Sequence, residues 1–397
     1  MNIFSDYQKK IFNSLKELEK KKKIKIPNKI KNIILELPPK NQKAEVSCNA
    51  AMILAKSNNA LPIELAETLK SHLLSRFKEF KHIEVAKPGF LNIYFNKSFW
   101  KKNIINLIKL NSIYGSNKIS NKKYNIEFVS ANPTGPLHVG HCRGAVLGDV
   151  LSNLLTFNGN NVIKEYYVND YGKQIESFVL SVYYRILEIE RNKPFPSDEN
   201  LYPGDYIIEI AKKVIKNKSI KSFANLKKIY KKLSSESLKY SMQLIVSNLN
   251  LLGIKHNNFI YESRLIEKKM VLKAVNNLKK KKYIYSGKTE APKGEKTKDW
   301  KERNQLLFKS TKFGDDIDRP LQKADGSWSY FAGDIAYHTN KISRKFDVLI
   351  NILGADHAGY IKRIVAASKA ISNNRVHLIC KVSQLVKLFK NGEPYKM

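Results

Sequence analysis

A proline- and glycine-rich segment with two histidines limits the fold of this chain more than any other feature. The segment, Asn132 to His141, follows a strand-like run at Tyr124 to Val129 and precedes apolar residues at helical spacing from Leu147 to Leu155. A second strand-like run lies at Val162 to Val168. Strand, helix and strand in this order predict a right-handed βαβ unit of a parallel sheet. A ligand of such a unit is expected beyond the carboxyl end of the first strand.

The chemistry of the same segment indicates what that ligand is. His138 and His141 lie three positions apart at a helix start, so their side chains share one face of the helix. The free N–H groups and the dipole of a helix start favour an anion there. Gly140 carries no side chain, which lets a flat ring approach the backbone. Together these features predict a site for the phosphates and the base of a nucleotide.

A phosphate-binding P-loop is the first alternative, because Gly135 and Gly140 have the glycine spacing of that motif. The next two residues, however, are His141 and Cys142, where a P-loop has Lys followed by Ser or Thr. A glycine-rich dinucleotide fingerprint is absent from the sequence as well. We therefore predict a Rossmann-like α/β fold that grips phosphate in a different way.

The chain divides into two predicted domains. Residues 1–112 mix helical spacing with a strand at Phe90 to Phe95, which predicts a small N-terminal α+β domain. The polar stretch Asn111 to Lys123 is the predicted linker. Residues 120–397 form the predicted Rossmann-like parallel-sheet domain, and residues 173–290, rich in lysine and mostly helical in pattern, are a predicted insertion into it.

The charge of the chain is strongly positive. Lys and Arg number 71 against 35 Asp and Glu, which gives a formal net charge of +36. Such a field attracts polyanions, including nucleic acids. The excess is mostly lysine, alongside many Asn and Ile residues, as an A/T-rich genome would encode. Charge alone therefore leaves nucleic-acid binding and plain codon bias both open.

Cysteine usage and hydropathy argue against disulfide-linked, zinc-binding, secreted and membrane-spanning classes of protein. Cys48, Cys142 and Cys380 are far apart, and no CxxC pair exists, which argues against a disulfide framework or a zinc site. The N-terminus lacks a basic and apolar leader, and no apolar run approaches the ~18 residues of a membrane span. These patterns predict a cytoplasmic protein with no membrane partner and no bound metal.

The histidine segment resembles the signature of class I aminoacyl-tRNA synthetases. Further blocks resemble bacterial arginyl-tRNA synthetases in particular, and they occur in the order of that family. The blocks are Ile126 to Asn132, Glu165 to Gly172, Phe313 to Arg319, Tyr330 to Tyr337 and Gly354 to His357. The resemblance extends over essentially the whole chain, and several independent blocks make coincidence improbable.

The resemblance implies an ATP-dependent reaction in two steps. L-arginine is first activated to arginyl-adenylate, and the arginyl group is then transferred to the 3′ end of tRNA(Arg). Mg²⁺ is expected to accompany ATP rather than to occupy a protein site, and the protein is expected to be a monomer. His138 and His141 are the implied catalytic residues, because they would donate hydrogen bonds to the α-phosphate as it gains charge.

The resemblance also implies two sets of binding residues. The ATP-binding residues are Pro133, Thr134, Gly135, His138, Gly140, His141, Asp356, His357 and Lys396. The arginine-binding residues are Glu127, Ser130, Asn132, Glu262, Tyr330 and Asp334. A guanidinium is a planar fork of donors that carboxylates match best, so Asp334 is its first candidate partner and Glu262 its second. Glu127 and Asn132 would hold the α-amino and carboxylate end, and residues 1–112 would contact tRNA.

The last residues depart from the family pattern. The chain stops at Lys396 and Met397, after the turn that begins at Gly392. In the family this stretch continues into a Lys-Met-Ser-Lys loop and then into a helical anticodon-binding domain. We therefore expect a C-terminally truncated chain in which the anticodon-binding domain is absent and adenylate formation is impaired.

Two other readings of the sequence remain open. The first is a class I relative that acts on another amino acid, although glutamate or glutamine would call for a basic pocket. The second is a non-catalytic RNA-binding protein that uses the basic surface. That protein would bind RNA with a steep salt dependence and would not respond to ATP or arginine.

Overall fold

The computed structural model describes residues 2–27, 33–116, 121–288, 304–384, 386 and 388–395. The chain forms two compact units, Met1–Asn117 and Lys118–Met397. Within the described residues, no helix combines the length and the apolar character needed to cross a lipid bilayer.

The first unit is a four-stranded antiparallel sheet packed against helices. Its core is mainly apolar, with Ile11, Leu15, Leu73 and Leu91 inaccessible to solvent. The strands run in the order β1-β2-β4-β3. The elements are α1 (Ile3–Lys20), β1 (Leu35–Glu36), β2 (Val46–Cys48), α2 (Ala50–Ala55), α3 (Pro62–Arg76), β3 (Phe80–Ala86), β4 (Phe90–Phe95) and α4 (Lys97–Leu110).

The second unit is built on a five-stranded parallel sheet with helices around it. Its strands are β5 (Lys123–Glu127), β6 (Asn161–Val168), β7 (Asn258–Tyr261), β8 (Ile284–Gly287), β9 (Gln305–Phe308), β10 (Arg319–Pro320), β11 (Val348–Gly354), β12 (His377–Ser383), β13 (Leu388–Lys390) and β14 (Glu393–Tyr395). Its helices are α5 (Val139–Phe157), α6 (Lys173–Arg191), α7 (Asp205–Lys216), α8 (Leu226–Leu251), α9 (Glu262–Glu267), α10 (Met270–Lys280), α11 (Tyr330–Ser343) and α12 (Ile361–Ser372).

The order of strands in the parallel sheet is β12-β11-β5-β6-β7, and this confirms the predicted α/β class. The chain moves from the central β5 through β6 to β7 on one side, and from β11 to β12 on the other. The direction of winding therefore reverses between β5 and β11. In open parallel sheets, ligands bind at the carboxyl ends of strands at such a reversal. Strands β8, β9 and β10 form a separate antiparallel sheet.

The predicted insertion has two structural parts. Helices α6, α7 and α8 share a core of their own, with Phe178, Val182, Ile207 and Leu233 fully buried in it. The strand β7, which also falls within 173–290, pairs in parallel with β6 and extends the main sheet. The region from α6 to α8 is therefore an excursion between two neighbouring strands of the sheet. The rest of the range also contains α9, α10 and β8, and β8 belongs to the separate antiparallel sheet.

Helix α5 is present as predicted, and Leu151 and Leu155 of its apolar stripe pack against the core of the sheet. The rest of the stripe faces solvent. Val150 and Leu154 are 57% and 55% exposed. The buried side of α5 carries small residues, including Gly148 and Ser152. The fully buried ring of Phe128 occupies the space beside this side, so only small side chains fit there.

Gly148→Ala should destabilise the second unit. A Cβ at this position would lie 2.2 Å from Cγ of Phe128, which a fully buried ring cannot accommodate without displacing its neighbours. Overpacking of this kind costs about 1–3 kcal/mol or more. Gly144→Ala, one turn earlier in α5, is the matched control, because its nearest neighbour would be Ile352 Cγ2 at 4.0 Å. Urea unfolding of both variants tests this, and equal stability of the two would contradict the packing described.

Candidate active site

The chain leaves β5 through a strained turn. Val129 and Ser130 have φ angles of 70° and 43°, in the left-handed region that β-branched residues in particular avoid. The Ser130 N–H donates to the carbonyl of Phe128 at 3.1 Å, which closes a turn around Val129. The strand consequently ends at Glu127, two residues before the predicted end. The turn also brings Ser130 Oγ within 3.2 Å of Glu127 Oε1.

The loop between β5 and α5 is held by side chains from the helical excursion. The Tyr206 hydroxyl of α7 donates to the carbonyl of Thr134 at 3.0 Å. Asn248 of α8 accepts from the Leu137 N–H at 3.2 Å through Oδ1. Both supports come from residues far away in the sequence, and the sequence analysis did not find them. They hold the loop that contains Pro133, Thr134 and Gly135 in one conformation.

His138 and His141 cap the start of α5. Nδ1 of His138 accepts from the Gly140 N–H at 3.1 Å, and Nδ1 of His141 accepts from the His138 N–H at 3.2 Å. The two ring centroids are 3.9 Å apart, so the rings lie side by side as predicted. Because each Nδ1 is an acceptor, the hydrogen of each neutral ring is on Nε2. The helix start therefore presents two Nε2 donors next to its own free N–H groups.

The electrostatics of the site favour a neutral His141 ring. Burial, followed by the neighbouring His138, lowers the pKa of His141 to about 4. At neutral pH the His141 ring is therefore an uncharged donor, which can contact an anion without titrating. Donors that are fixed in place stabilise negative charge that develops in a transition state.

Asp356 and His357 follow β11, the strand next to β5. They belong to the short helical turn Ala355–Tyr360, and His357 Nε2 lies 3.3 Å from Asp356 Oδ2. Both side chains are exposed. Since β5 and β11 are parallel neighbours, this turn and the helix start of α5 lie at the same edge of the sheet. Lys396, the remaining predicted ATP-binding residue, is outside the described residues.

The predicted arginine residues lie on four elements around the same edge. Tyr330 begins α11 and is 77% exposed, and Asp334 lies one turn further along that helix. Burial, and then the carboxylates of Glu127 and Glu262, raise the pKa of Asp334 to about 7. Asn132 is turned toward α6, where its Nδ2 donates to Gln174 Oε1 at 2.8 Å.

Glu262 begins α9 and belongs to the same acidic pocket. Burial, and then Asp170, raise the pKa of Glu262 to about 7. Asp170 itself fixes the start of α9, because its carboxylate accepts from the N–H and the hydroxyl of Ser263 at 2.8 and 2.6 Å. The carboxylates of Glu127, Asp334 and Glu262 are thus close enough to interact electrostatically. We call these three residues the acidic pocket.

Tyr167 of β6 is a residue of this pocket that sequence reasoning missed. Burial raises the pKa of its hydroxyl, and Glu262, Asp334 and Glu127 raise it further. Its ring packs against Tyr337 of α11, with centroids 4.4 Å apart. Tyr167 lies in the block Glu165 to Gly172 that carried the family resemblance, so a signal was present without a role attached to it.

Comparison with known proteins identifies the family. A family described as "tRNA synthetases class I (R), catalytic domain" matches residues 103–380, and one described as "Arginyl tRNA synthetase N terminal domain" matches residues 5–95. The chain is 51% identical over 399 residues to the arginine–tRNA ligase of Pelagibacter ubique, covering 100% of this chain and 69% of that protein. It is 44% identical over 401 residues to the enzyme of Bartonella quintana, covering 100% and 68%.

Solved structures show the same fold at lower identity. The Thermus thermophilus arginyl-tRNA synthetase matches with a TM-score of 0.60 at 15% identity, covering 96% of this chain and 66% of that chain. The Plasmodium falciparum enzyme matches with a TM-score of 0.58 at 19% identity, covering 96% and 65%. The chain thus spans about two thirds of the length of these proteins. On the family matches and the curated relatives together, this chain belongs to the arginyl-tRNA synthetases, within the class I aminoacyl-tRNA synthetases.

Proposed function

We propose that this chain acts in protein synthesis as an arginine–tRNA ligase. A carboxylate oxygen of L-arginine attacks the α-phosphorus of ATP, which forms arginyl-adenylate and releases pyrophosphate. A hydroxyl of the 3′-terminal ribose of tRNA(Arg) then attacks the arginyl carbonyl carbon, and AMP leaves. The observation that supports this proposal best is the acidic pocket, which lies at the same edge of the sheet as the paired histidines.

The acidic pocket suits both cationic groups of arginine. Asp334 and Glu262 would share the guanidinium, whose planar fork of donors matches carboxylates. Glu127, which is 8% exposed and accepts from Ser130, would bind the α-ammonium. Asn132 would hold the carboxylate end, and Tyr330 would cover the side chain.

The nucleotide would occupy the edge of the sheet between β5 and β11. His138 and His141 would donate to the α-phosphate oxygens, whose negative charge grows during attack. Little proton transfer is needed, so positioning and electrostatic stabilisation carry most of the rate. The remaining proposed ATP contacts are Pro133, Thr134, Gly135, Gly140, Asp356, His357 and Lys396.

The proposal includes partners that the residues themselves do not identify. Mg²⁺ would arrive with the triphosphate of ATP as part of that substrate. Residues 1–112 would contact tRNA(Arg), consistent with their match to the N-terminal domain of the family. We further propose that the reaction takes place in the cytoplasm and that the chain works as a monomer.

The test of the proposed function compares arginine with its uncharged isostere. Calorimetry should show that the chain binds arginine about a hundredfold more tightly than citrulline, because a neutral ureido group leaves buried carboxylates unpaired. Arginine-dependent exchange of pyrophosphate into ATP, measured with tRNA(Arg) present, tests the first chemical step. Equal binding of arginine, citrulline and glutamate would overturn the assignment and favour another substrate or a binding role.

The affinity for arginine should rise with pH through about 7. Asp334 and Glu262 have pKa values raised to about 7, so both are largely protonated below that pH and ionised above it. A guanidinium needs the ionised form, and its binding therefore expels protons at lower pH. Calorimetric titrations from pH ~5.5 to pH ~8.5, repeated in buffers of different ionisation enthalpy, measure both effects. An affinity that does not change across this range would contradict the pairing.

A further inference from the structure

One row of cross-strand neighbours in the parallel sheet is polar on four strands and carries a cysteine on the fifth. Interior strands of a parallel sheet are covered on both faces and are ordinarily apolar throughout. Side chains at paired positions of adjacent strands point to the same face, so these five residues form one line across the sheet. From β12 to β7 the line contains Cys380, Asn351, Glu127, Glu165 and Asn258. We call it the polar row.

Helix α11 covers the polar row with two cations. Lys341 is fully buried, and its Nζ donates to Glu127 Oε2 at 2.5 Å and to Asn351 Oδ1 at 2.9 Å. Arg344, on the next turn, donates twice to Glu165, at 2.5 and 2.8 Å. The same helix carries Asp334 two turns before Lys341. Helix α11 therefore supplies both the cations that neutralise the polar row and Asp334, the proposed ligand of the guanidinium.

The stability of the fold does not by itself explain why Lys341 is fully buried. Burial of two charges costs so much desolvation energy that an apolar pair of similar volume stabilises a fold equally well or better. Lys341 occupies one oxygen of Glu127, and the other oxygen accepts from the Ser130 hydroxyl at 3.2 Å. Glu127 is therefore anchored on one side and free to accept on the other.

We propose that Lys341 is a positioning residue for the α-ammonium of the substrate, because its own ammonium group holds the Glu127 carboxylate in one orientation. This inference rests on the proposed function, in which Glu127 receives that ammonium. In this proposal Lys341 itself touches no substrate and acts through Glu127. The hydrogen bond from Lys341 to Asn351 fixes the direction of the Lys341 side chain.

The charges around Glu127 explain why Lys341 is needed. The groups that interact with it come from three elements: Asp334, Tyr337 and Lys341 from α11, Tyr167 from β6 and Cys380 from β12. Glu165 is its cross-strand neighbour and is itself paired with Arg344. Without Lys341, the Glu127 carboxylate would lose the cation that holds its Oε2, and the carboxylates of Asp334 and Glu165 would repel it. A carboxylate that turns away from these neighbours is no longer presented to an ammonium group.

The test uses a ligand pair that differs only in the α-amino group. Lys341→Met should abolish most of the preference for arginine over desamino-arginine (5-guanidinopentanoate) at neutral pH, a loss of about tenfold or more. Its affinity for desamino-arginine should stay within about threefold of the parent chain. A merely structural role would weaken both ligands equally, so the ratio of the two affinities separates that role from the positioning of Glu127.

Three variants complete the design. Lys341→Gln keeps a donor without a charge and serves where Lys341→Met does not fold; it should lose the same preference. Glu127→Gln should lose the same preference. Arg344→Met is the matched control, because it breaks the neighbouring ion pair of the same helix and should keep the preference.

The possible outcomes separate the two proposals. A parent chain that does not distinguish arginine from citrulline overturns the proposed function. A parent chain that prefers arginine, together with Lys341→Met and Lys341→Gln that retain the full preference over desamino-arginine, overturns the role of Lys341 alone. Equal weakening of both ligands by these variants also overturns it.

Discussion

Asp334→Asn should weaken the binding of arginine by about 30- to 1000-fold. Removal of one partner of a desolvated charge pair costs about 2–4 kcal/mol, because the other charge is left unpaired. Asp334 is held at the acidic pocket by α11, whose inner face is fixed to the sheet by Lys341 and Arg344. The substituted amide is nearly the same size, so loss of charge and not of packing should account for the change.

Calorimetry with arginine and citrulline measures this effect. Binding of citrulline should change by less than about threefold in Asp334→Asn, since a neutral ureido group has no charge to lose. Asp325→Asn is the matched control, because Asp325 is exposed and accepts from the N–H and the hydroxyl of the nearby Ser327. A uniform loss for arginine and citrulline would show that Asp334 supports the fold and does not read the guanidinium.

Replacement of either histidine at the start of α5 should slow adenylate formation by about 10²- to 10³-fold. His138 and His141 present Nε2 donors whose direction is fixed by the backbone contacts of Nδ1. Binding of arginine should change little, because the rings lie at the nucleotide end of the site. Pyrophosphate exchange in the presence of tRNA(Arg) gives the rate, and the double variant should lose less than the product of the single losses.

His138 also caps α5, so its substitution needs a control for the cap. Asparagine is a good N-cap residue and keeps an acceptor for the Gly140 N–H, but it cannot place a donor where Nε2 lies. His138→Asn should therefore retain the stability of the parent chain and show the same slow rate as His138→Ala. If His138→Asn were as fast as the parent chain, the histidine would act only as a cap.

The parts of the fold with a local signal could be predicted from sequence. The β5-α5-β6 unit follows from alternating apolar runs and a Pro/Gly loop, and its bounds differ from the prediction by one or two residues. The side-by-side arrangement of His138 and His141 follows from helical spacing alone. The position of Asp334 beside Glu262 and Glu127 came from the family resemblance, since no pattern within the chain links residues so far apart.

Other features depend on contacts between distant residues, and no local pattern encodes them. The centre of the buried face of α5 is decided by the ring of Phe128 beside it, which leaves room for small side chains there, so Val150 and Leu154 of the apolar stripe face solvent. Val129 at positive φ contradicts the preference of a β-branched residue, so the strand was predicted to continue. Lys341 looked like one of many surface lysines, because its partner Glu127 lies 214 positions earlier in the chain.

The polar row also affects the register in which the strands of the parallel sheet pair. Side chains alternate between the two faces of a strand, so a shift of β5 by one residue would place Ile126 or Phe128 beside Asn351. Glu127 would then point to the other face, away from Lys341, and a carboxylate without a cation would be buried. That cost, several kcal/mol for a single ion, separates the native alignment from its nearest competitors. The charges proposed to recognise a substrate in the folded enzyme thus also disfavour incorrect strand registers while the sheet forms.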